Sequence, residues 1–229
     1  LFLPEYFKYA DFRAFNYNTQ LFGFDYEYQN QYESNVDDWY SFVQKKVPVE
    51  DINECLNTLK LTDITSNSQN KFLQYLYQNK LNNVIQYLII AKKCEDANNF
   101  QYDDPWERGE TKRVDITPFF NKLQQLIDKE KSNYLKRKYA FLTIRTAYYN
   151  GNQNVINTLF EKHFAQGKKD YLYYWALYFN AFQNKNASVD IANIMAYSPE
   201  KKYASYYYFH NQFNLENALV QAKSNQEIA

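Results

Sequence analysis

Glycine and proline are scarce in this sequence, which has four glycines and five prolines in 229 residues. A β-sandwich or β-barrel needs many tight turns, which depend on these two residue types, so their scarcity disfavours both architectures. The four glycines form neither a GxGxxG motif nor a phosphate-binding loop, so nucleotide phosphates have no cradle. We therefore expect a chain built mainly of helices.

An excess of charge of either sign is also missing, because 26 Lys and Arg residues balance 26 Asp and Glu residues. Nonspecific nucleic-acid binding needs a basic surface that displaces counterions from phosphates, so we expect no nucleic-acid partner. The longest apolar stretch, around residues 88–91, is far too short to cross a bilayer. The sequence therefore predicts no transmembrane segment.

Cysteine and histidine occur only twice each. Cys55 and Cys94 form no CxxC motif and have no histidine nearby, which favours two buried free thiols and leaves open a disulfide in an oxidising compartment. His163 lies on the apolar stripe of a predicted helix, where a core histidine is favoured over a ligand or base. Neither His163 nor His210 belongs to a zinc motif. The sequence predicts no metal and no cofactor.

Aromatic residues are abundant, at 20% of the chain with 24 Tyr and 18 Phe. AT-rich codon usage is the favoured explanation, and an aromatic surface with a binding role is the other. Residues 1–34 are crowded with aromatic side chains and lack a regular period. We predict that residues 1–34 form an irregular arm that wraps along a helical body, with a docking arm for another chain as the alternative.

A turn followed by an amphipathic helix recurs along the chain. Asn150 and Gly151 end one predicted helix, and the residues after them have the period of another. Similar stretches begin at Asn79 and Asn184. Asn184 follows Asn150 by 34 residues, and Asn79 precedes it by 71 residues, which is about twice 34. A repeat of about 34 residues is typical of helix-turn-helix repeat arrays. The prediction is an all-α, TPR-like α-solenoid of antiparallel helix pairs.

The predicted repeat domain spans residues 35–229, with a loop insertion at about residues 98–114. Its longest helix is predicted from Asn133 to Tyr149, with the three basic residues 136–138 on a solvated edge. The sequence does not begin with Met, and its end falls directly after a helical pattern. We expect a processed or truncated chain that continues beyond residue 229 in the natural protein.

Five stretches of the repeat domain, at residues 87–95, 104–106, 138–145, 174–177 and 198–206, match a known family in order and spacing. The repeat spacing, the turn at Gly151 and the proline at Pro199 resemble degenerate tetratricopeptide (TPR) repeats. The five stretches resemble, more particularly, TPR-like proteins of Bacteroidetes cell envelopes. The resemblance implies a helical-repeat architecture and an exported, envelope-associated location. It supplies no catalytic residues.

Five residues are candidates for contact with a partner: Arg145, Tyr149, Trp106, Tyr102 and Tyr178. Arg145 lies in mid-helix among aromatic residues. An ion pair with a buried carboxylate or stacking on a neighbouring tyrosine is the favoured interpretation, and contact with a partner in a groove is the other.

The loop that contains Trp106 also carries the carboxylates Asp103, Asp104, Glu107 and Glu110. They invite an interpretation as an acid–base pair or calcium site, but their spacing fits no loop motif. A polar loop pinned by Trp106 against the helices is favoured.

The sequence predicts a non-enzymatic scaffold or protein-interaction subunit of a cell-envelope assembly, in the periplasm or at the outer-membrane surface. A partner protein is expected to bind through a helical-repeat groove and the N-terminal arm, because solenoids present extended concave surfaces. The alternative is a surface glycan-binding protein, since Tyr and Trp rings stack on sugars and Asn amides bond to hydroxyls. A hydrolase acting through the acidic loop is the third hypothesis.

Overall fold

The computed structural model describes residues 33–99, 117–181, 187–198, 200–201, 205 and 215–222. Within these ranges every regular element is a helix and no β-strand occurs, so the predicted all-α class is confirmed. In chain order the helices are α1 (Ser34–Phe42), α2 (Val49–Asn57), a short 3₁₀ helix (Leu61–Asp63), α3 (Lys71–Gln78), α4 (Asn82–Asn99), α5 (Thr117–Lys129), α6 (Asn133–Tyr149), α7 (Gln153–His163), α8 (Tyr171–Ala181), α9 (Ser188–Tyr197) and α10 (Leu215–Gln221).

Two predicted segments fall mostly outside the described residues. Of the N-terminal arm, only residues 33–34 are described, and Ser34 is already the first residue of α1. Of the loop at about residues 98–114, only residues 98–99 are described, and they extend α4 to Asn99. The predicted helix before Gly151 is confirmed with the same bounds, as α6, but the prediction that it is the longest helix is wrong, because α6 has 17 residues and α4 has 18. Helix α6 begins after Ser132, whose side-chain oxygen accepts a hydrogen bond from the backbone N–H of Leu135 at 3.5 Å.

The turn after α3 and the turn after α6 have the same geometry, as their sequence similarity predicts. Asn79 and Asn150 each donate a side-chain amide hydrogen bond to the carbonyl oxygen four residues earlier, at 2.8 Å in both turns. The next residue has left-handed backbone in each case, with φ of 54° at Lys80 and 69° at Gly151. The two sites are therefore structural equivalents, and the weaker third site at Asn184 lies outside the described residues.

Helix α6 lies at the centre of the packing. It contacts α5 and α7, its neighbours in sequence, and also α4 and α8, the second helix on either side. Its buried residues include an almost unbroken run from position 138 to position 147, so it is covered on nearly every side. The packing of α4, α6 and α8 side by side makes α6 the element that positions the groups described below.

Helix α1 packs across this arrangement and does not simply extend it. Its Trp39 is fully buried, and the Trp39 ring lies 5.4 Å from Tyr134 of α6, 5.6 Å from Tyr87 of α4 and 6.0 Å from Phe72 of α3. Helix α1 also contacts α8, far along the chain. Such a contact departs from the nearest-neighbour packing of a solenoid. The TPR-like arrangement stays a prediction.

Both cysteines are buried free thiols, which confirms the favoured interpretation. Burial raises the pKa of Cys55 and the pKa of Cys94 to about 12 each, so both thiols stay protonated at neutral pH. In the described part of the chain, no helix combines the length and the apolarity needed to cross a membrane.

Candidate functional site

The ammonium group of Lys138 lies in a buried polar cluster between α1, α6 and α8. The side chain is buried, and its Nζ lies 2.8 Å from Oδ2 of Asp38. Nζ also donates hydrogen bonds to the hydroxyl of Tyr171 at 2.7 Å and to Oδ1 of Asn35 at 3.0 Å. The hydroxyl of Tyr134 donates to Oδ2 of Asp38 at 2.9 Å. The buried positive charge is therefore paired and hydrogen-bonded, as burial of a charge requires.

Three aromatic rings surround the same ammonium group. Nζ of Lys138 lies 4.6 Å from the ring centre of Trp39, 5.0 Å from that of Tyr134 and 5.5 Å from that of Tyr171, all within cation–π range. Burial lowers the pKa of Lys138 from 10.5 to about 8, although the charge and hydrogen bond of Asp38 act in the opposite direction. The cluster joins α1 to α6 and α8 through one charge.

The prediction that residues 136–138 form a solvated edge is wrong for Lys138 and Arg137. Helix α1 covers Lys138, with only 1% of the residue exposed. Arg137 is partly buried because it forms a bidentate pair with Asp170, with Nη1–Oδ2 and Nη2–Oδ1 distances of 2.7 and 2.9 Å. Its Nη2 also donates to the carbonyl oxygen of Lys168 at 3.0 Å. Both basic residues therefore tie α6 to distant parts of the chain.

A second charged group lies further along α8. The indole N–H of Trp175 donates to Oε2 of Glu200 at 3.0 Å, and the backbone N–H of Ser34 donates to Oε1 of the same carboxylate at 2.7 Å. Nζ of Lys201 lies 4.9 Å from the ring centre of Trp175 and 5.6 Å from that of Tyr178. The start of α1 and the residues after α9 thus meet on α8.

Arg145, a predicted partner-binding residue, lies beside this second group. It is half-buried, and Phe141 and Tyr148 lie about one helical turn before and after it on α6. The Phe141 ring is 5.8 Å from Trp175, and the Tyr148 ring is 5.1 Å from Phe179, so this side of α6 faces α8. The favoured buried ion pair or tyrosine stacking of Arg145 is not found among the described residues.

The other predicted partner-binding residues differ in exposure. Tyr149 is 43% exposed at the end of α6, with its ring 5.4 Å from that of Tyr148. Tyr178 is buried, so the fold leaves a partner little of its ring. Trp106 and Tyr102 lie outside the described residues, as do the four carboxylates of the predicted loop. We define the α6/α8 face as Arg145, Tyr148 and Tyr149 of α6 with Trp175 of α8, next to Lys201. The buried rings of Phe141 and Phe179 pack against Trp175 and Tyr148.

His163 is half-buried at the end of α7, as its place on the apolar stripe indicates. Its Nε2 is buried without a hydrogen-bond acceptor or donor among the described residues. Burial lowers the pKa of His163, and the positive charges of Lys162 and Lys136 lower it further. A neutral imidazole packed at the edge of the core follows from these contacts.

A polar cavity of about 430 Å³ lies between α2, the 3₁₀ helix and the start of α3. Two carboxylates, three hydroxyls, two amides and one apolar side chain line it, from Glu54, Asp63, Thr62, Thr65, Ser68, Gln69, Asn70 and Leu59. The amide of Asn70 is fixed by hydrogen bonds to the Asp51 carbonyl and to Oε2 of Glu54, both at 2.8 Å. Most of the lining residues come from the segment between α2 and α3, and only the fold brings this segment against Glu54 of α2, so the sequence alone does not indicate the cavity.

Comparison of the chain with protein-family models, with curated proteins and with solved structures found no match. The resemblance to TPR-like envelope proteins and the envelope location therefore stay predictions.

Proposed function

We propose that this protein is a non-enzymatic scaffold that binds a partner protein, and that the α6/α8 face is part of the contact surface. The proposal is carried by Arg145, which lies between two aromatic residues of α6 and forms no ion pair with any described residue. Tyr149, which is 43% exposed, lies about one turn further along the same helix. Tyrosine, tryptophan and arginine are enriched at protein interfaces, because they combine a large contact area with directed hydrogen bonds.

The helical packing supports the same proposal. A TPR-like array presents one continuous surface built from alternate helices, and α4, α6 and α8 lie side by side in that way. In the proposed architecture the α6/α8 face belongs to the groove, and the aromatic N-terminal arm adds to the contact. An envelope assembly is the proposed setting, on the sequence resemblance alone.

An enzymatic role for the buried cluster has little support. Lys138 has the lowered pKa of a potential nucleophile, but only 1% of the residue is exposed. Its three N–H groups are taken up by Asp38, Asn35 and Tyr171. The same contacts suit a group that fixes α1 in place.

The test is site-specific photo-crosslinking. A benzophenone amino acid replaces Tyr149 in the full chain, and a matched chain carries it at the exposed Gln125 of α5. After irradiation in native extract, we expect a discrete protein adduct from position 149 and none from position 125. Arg145→Ala should reduce the adduct, while Lys122→Ala should not. An absence of any adduct specific to position 149 would contradict the proposal.

Glycan binding is the second candidate, favoured by the polar cavity near α3. Its hydroxyl, amide and carboxylate side chains match the hydrogen-bonding groups of a sugar. Trp175 is a poorer stacking platform, because its indole N–H is bonded to Glu200 and Lys201 lies over its ring. Purified chain on a glycan array tests this candidate: binding that is lost in Asp63→Ala and Gln69→Ala supports it, and no binding to any glycan removes it.

A further inference from the structure

The α6/α8 layer already holds one acidic and aromatic segment, supplied by the chain itself. Asp38 and Trp39 are consecutive residues of α1. The Asp38 carboxylate pairs with Lys138 at 2.8 Å, and the Trp39 ring lies 4.6 Å from the same ammonium group. Tyr171 of α8 completes the arrangement with a hydroxyl 2.7 Å from Nζ. The ammonium of Lys138 and the hydroxyl of Tyr171 therefore bind the carboxylate of Asp38, whose neighbour in sequence is aromatic.

The same combination of residues recurs about two turns further along both helices. Arg145 follows Lys138 by about two turns of α6, so the two cations lie on one side of that helix. On α8, Trp175 and Tyr178 follow Tyr171 by about one and two turns. The second position also has an additional cation, because Nζ of Lys201 lies over the rings of both Trp175 and Tyr178.

The second position differs from the first in lacking a paired carboxylate. Among the described residues, neither Arg145 nor Lys201 forms an ion pair. Glu200 is close, but its two oxygens accept hydrogen bonds from Ser34 and Trp175. Burial lowers the pKa of Lys201, and the charge of Arg145 lowers it further, while Glu200 and Glu33 act in the opposite direction. Two neighbouring cations on a half-buried aromatic surface repel each other, and a bound anion would relieve this repulsion.

We propose that Arg145 and Lys201 form a recognition site for an acidic protein segment, in which an Asp or Glu side chain lies next to an aromatic residue. The site rests on the proposed function, because it specifies the chemistry of the partner at the α6/α8 face. The carboxylate of the partner segment pairs with Arg145 in the way that the Asp38 carboxylate pairs with Lys138. The aromatic neighbour packs against exposed ring surface near Tyr149, as Trp39 packs beside Tyr134.

The experiment is selection of a random short-peptide library on the full-length protein, with sequencing of the retained peptides. The wild-type chain should enrich Asp and Glu next to Trp, Tyr or Phe. Arg145→Gln and Lys201→Gln should each lower the affinity of the enriched peptides by about tenfold or more, because a partly buried charge contact is lost. The double charge reversal Arg145→Glu with Lys201→Glu should enrich Lys and Arg instead. Lys122→Glu, a charge reversal at an exposed position of α5, should leave the selection unchanged.

Two results of the peptide selection overturn the proposal. One is a wild-type selection without acidic enrichment, and the other is acidic enrichment that persists in the double charge reversal. Circular dichroism and thermal unfolding of each variant establish that it is folded before selection. Crosslinking at position 149 distinguishes failure of this site from failure of the scaffold function. A discrete adduct whose crosslinked segment lacks acidic residues leaves the scaffold function standing and removes this site, whereas the absence of an adduct contradicts the scaffold function itself.

Discussion

Asp38 of α1 and Lys138 of α6 form an ion pair at 2.8 Å in which the lysine is almost completely buried and the carboxylate side chain is 31% exposed. The two partners are therefore unequal: the lysine depends on the pair, while the carboxylate has access to water. Removing the carboxylate leaves an uncompensated buried charge, which is more costly than removing the whole pair.

Asp38→Ala is expected to lower the free energy of unfolding by about 2–3 kcal/mol, since Lys138 loses its counter-ion and Tyr134 loses its acceptor. Urea unfolding followed by circular dichroism measures the change. The matched control is Asp37→Ala on the exposed side of the same helix, which loses only a helix-dipole contribution of about 1 kcal/mol or less. Equal losses in the two variants would show that the buried pair has no special role.

Lys138→Met provides a pH test of the buried ammonium group. The pKa of Lys138 is lowered from 10.5 to about 8 in the folded state, so the unfolded chain binds more protons between these pH values. This group therefore makes folding more favourable as pH rises above 8, by about 2 kcal/mol between pH 7 and pH 9.5. The stability of the wild-type chain relative to Lys138→Met should rise by that amount. A difference that does not vary with pH would contradict the burial of a protonated lysine.

Tyr171→Phe removes one hydroxyl from the cluster and leaves the ring in place. The hydroxyl accepts from Lys138 and lies 3.1 Å from both Asn35 Oδ1 and Asp38 Oδ2, so we expect a loss of about 1–2 kcal/mol in unfolding free energy. The neighbouring Tyr173 is half-buried, and its hydroxyl has no hydrogen bond among the described residues. Tyr173→Phe should therefore change stability by less than about 0.5 kcal/mol. Thermal unfolding of the two variants compares them directly.

Arg137→Lys tests the bidentate pair with Asp170. A lysine cannot reproduce the two parallel N–H···O bonds, so we expect a loss of about 1 kcal/mol. Burial acts to raise the pKa of Asp170, but the hydrogen bond and charge of Arg137 outweigh it and leave the pKa below 3.8. A lowered carboxyl pKa stabilises the folded chain at pH values above the pKa of the unfolded state, and this stabilisation is lost as pH falls through the pKa of the folded state. The unfolding free energies of the wild-type chain and of Arg137→Lys should therefore converge in acid. Lys162→Ala, at an exposed pair of 3.8 Å, should have almost no effect.

Gly151→Ala tests the turn that separates α6 from α7. A methyl group at this position would meet no atom within 4 Å, but the backbone φ of 69° is unfavourable for alanine. We expect a loss of about 1 kcal/mol from backbone conformation alone. Gly167→Ala is the control, because its φ is not left-handed and its nearest contact would be the Phe164 carbonyl oxygen at 3.4 Å. Chemical unfolding should show a smaller loss at position 167 than at position 151.

Local signals were enough to predict α6 and the turn after it. Ser132 caps the start of α6, and Asn150 with Gly151 ends it, so the sequence near each end contains the information. The burial of Lys138 had no such local signal. The helix that covers it comes from the beginning of the chain, and neither the basic run nor its spacing indicates that distant contact.

The candidate site was predicted in part. Arg145 was predicted because it lies in mid-helix among aromatic residues, and both it and the predicted Tyr149 lie on the α6/α8 face. Lys201 was missed, because its proximity to Trp175 depends on how the residues after α9 return to α8. Helix periodicity describes one helix at a time, whereas this site is built by three separate parts of the chain.

The contact of α1 with α8 also has a consequence for the order of folding. The hydroxyl of Tyr171 meets the carboxylate of Asp38 across 133 residues of chain, and closing so long a loop has a large entropic cost before any contact forms. We expect α1 to dock late, after α6 and α8 have paired. Substitutions at Asp38 should then accelerate unfolding and leave the refolding rate nearly unchanged, as stopped-flow kinetics would measure. During synthesis, α1 would emerge well before α6 and α8 and would dock only after both had formed.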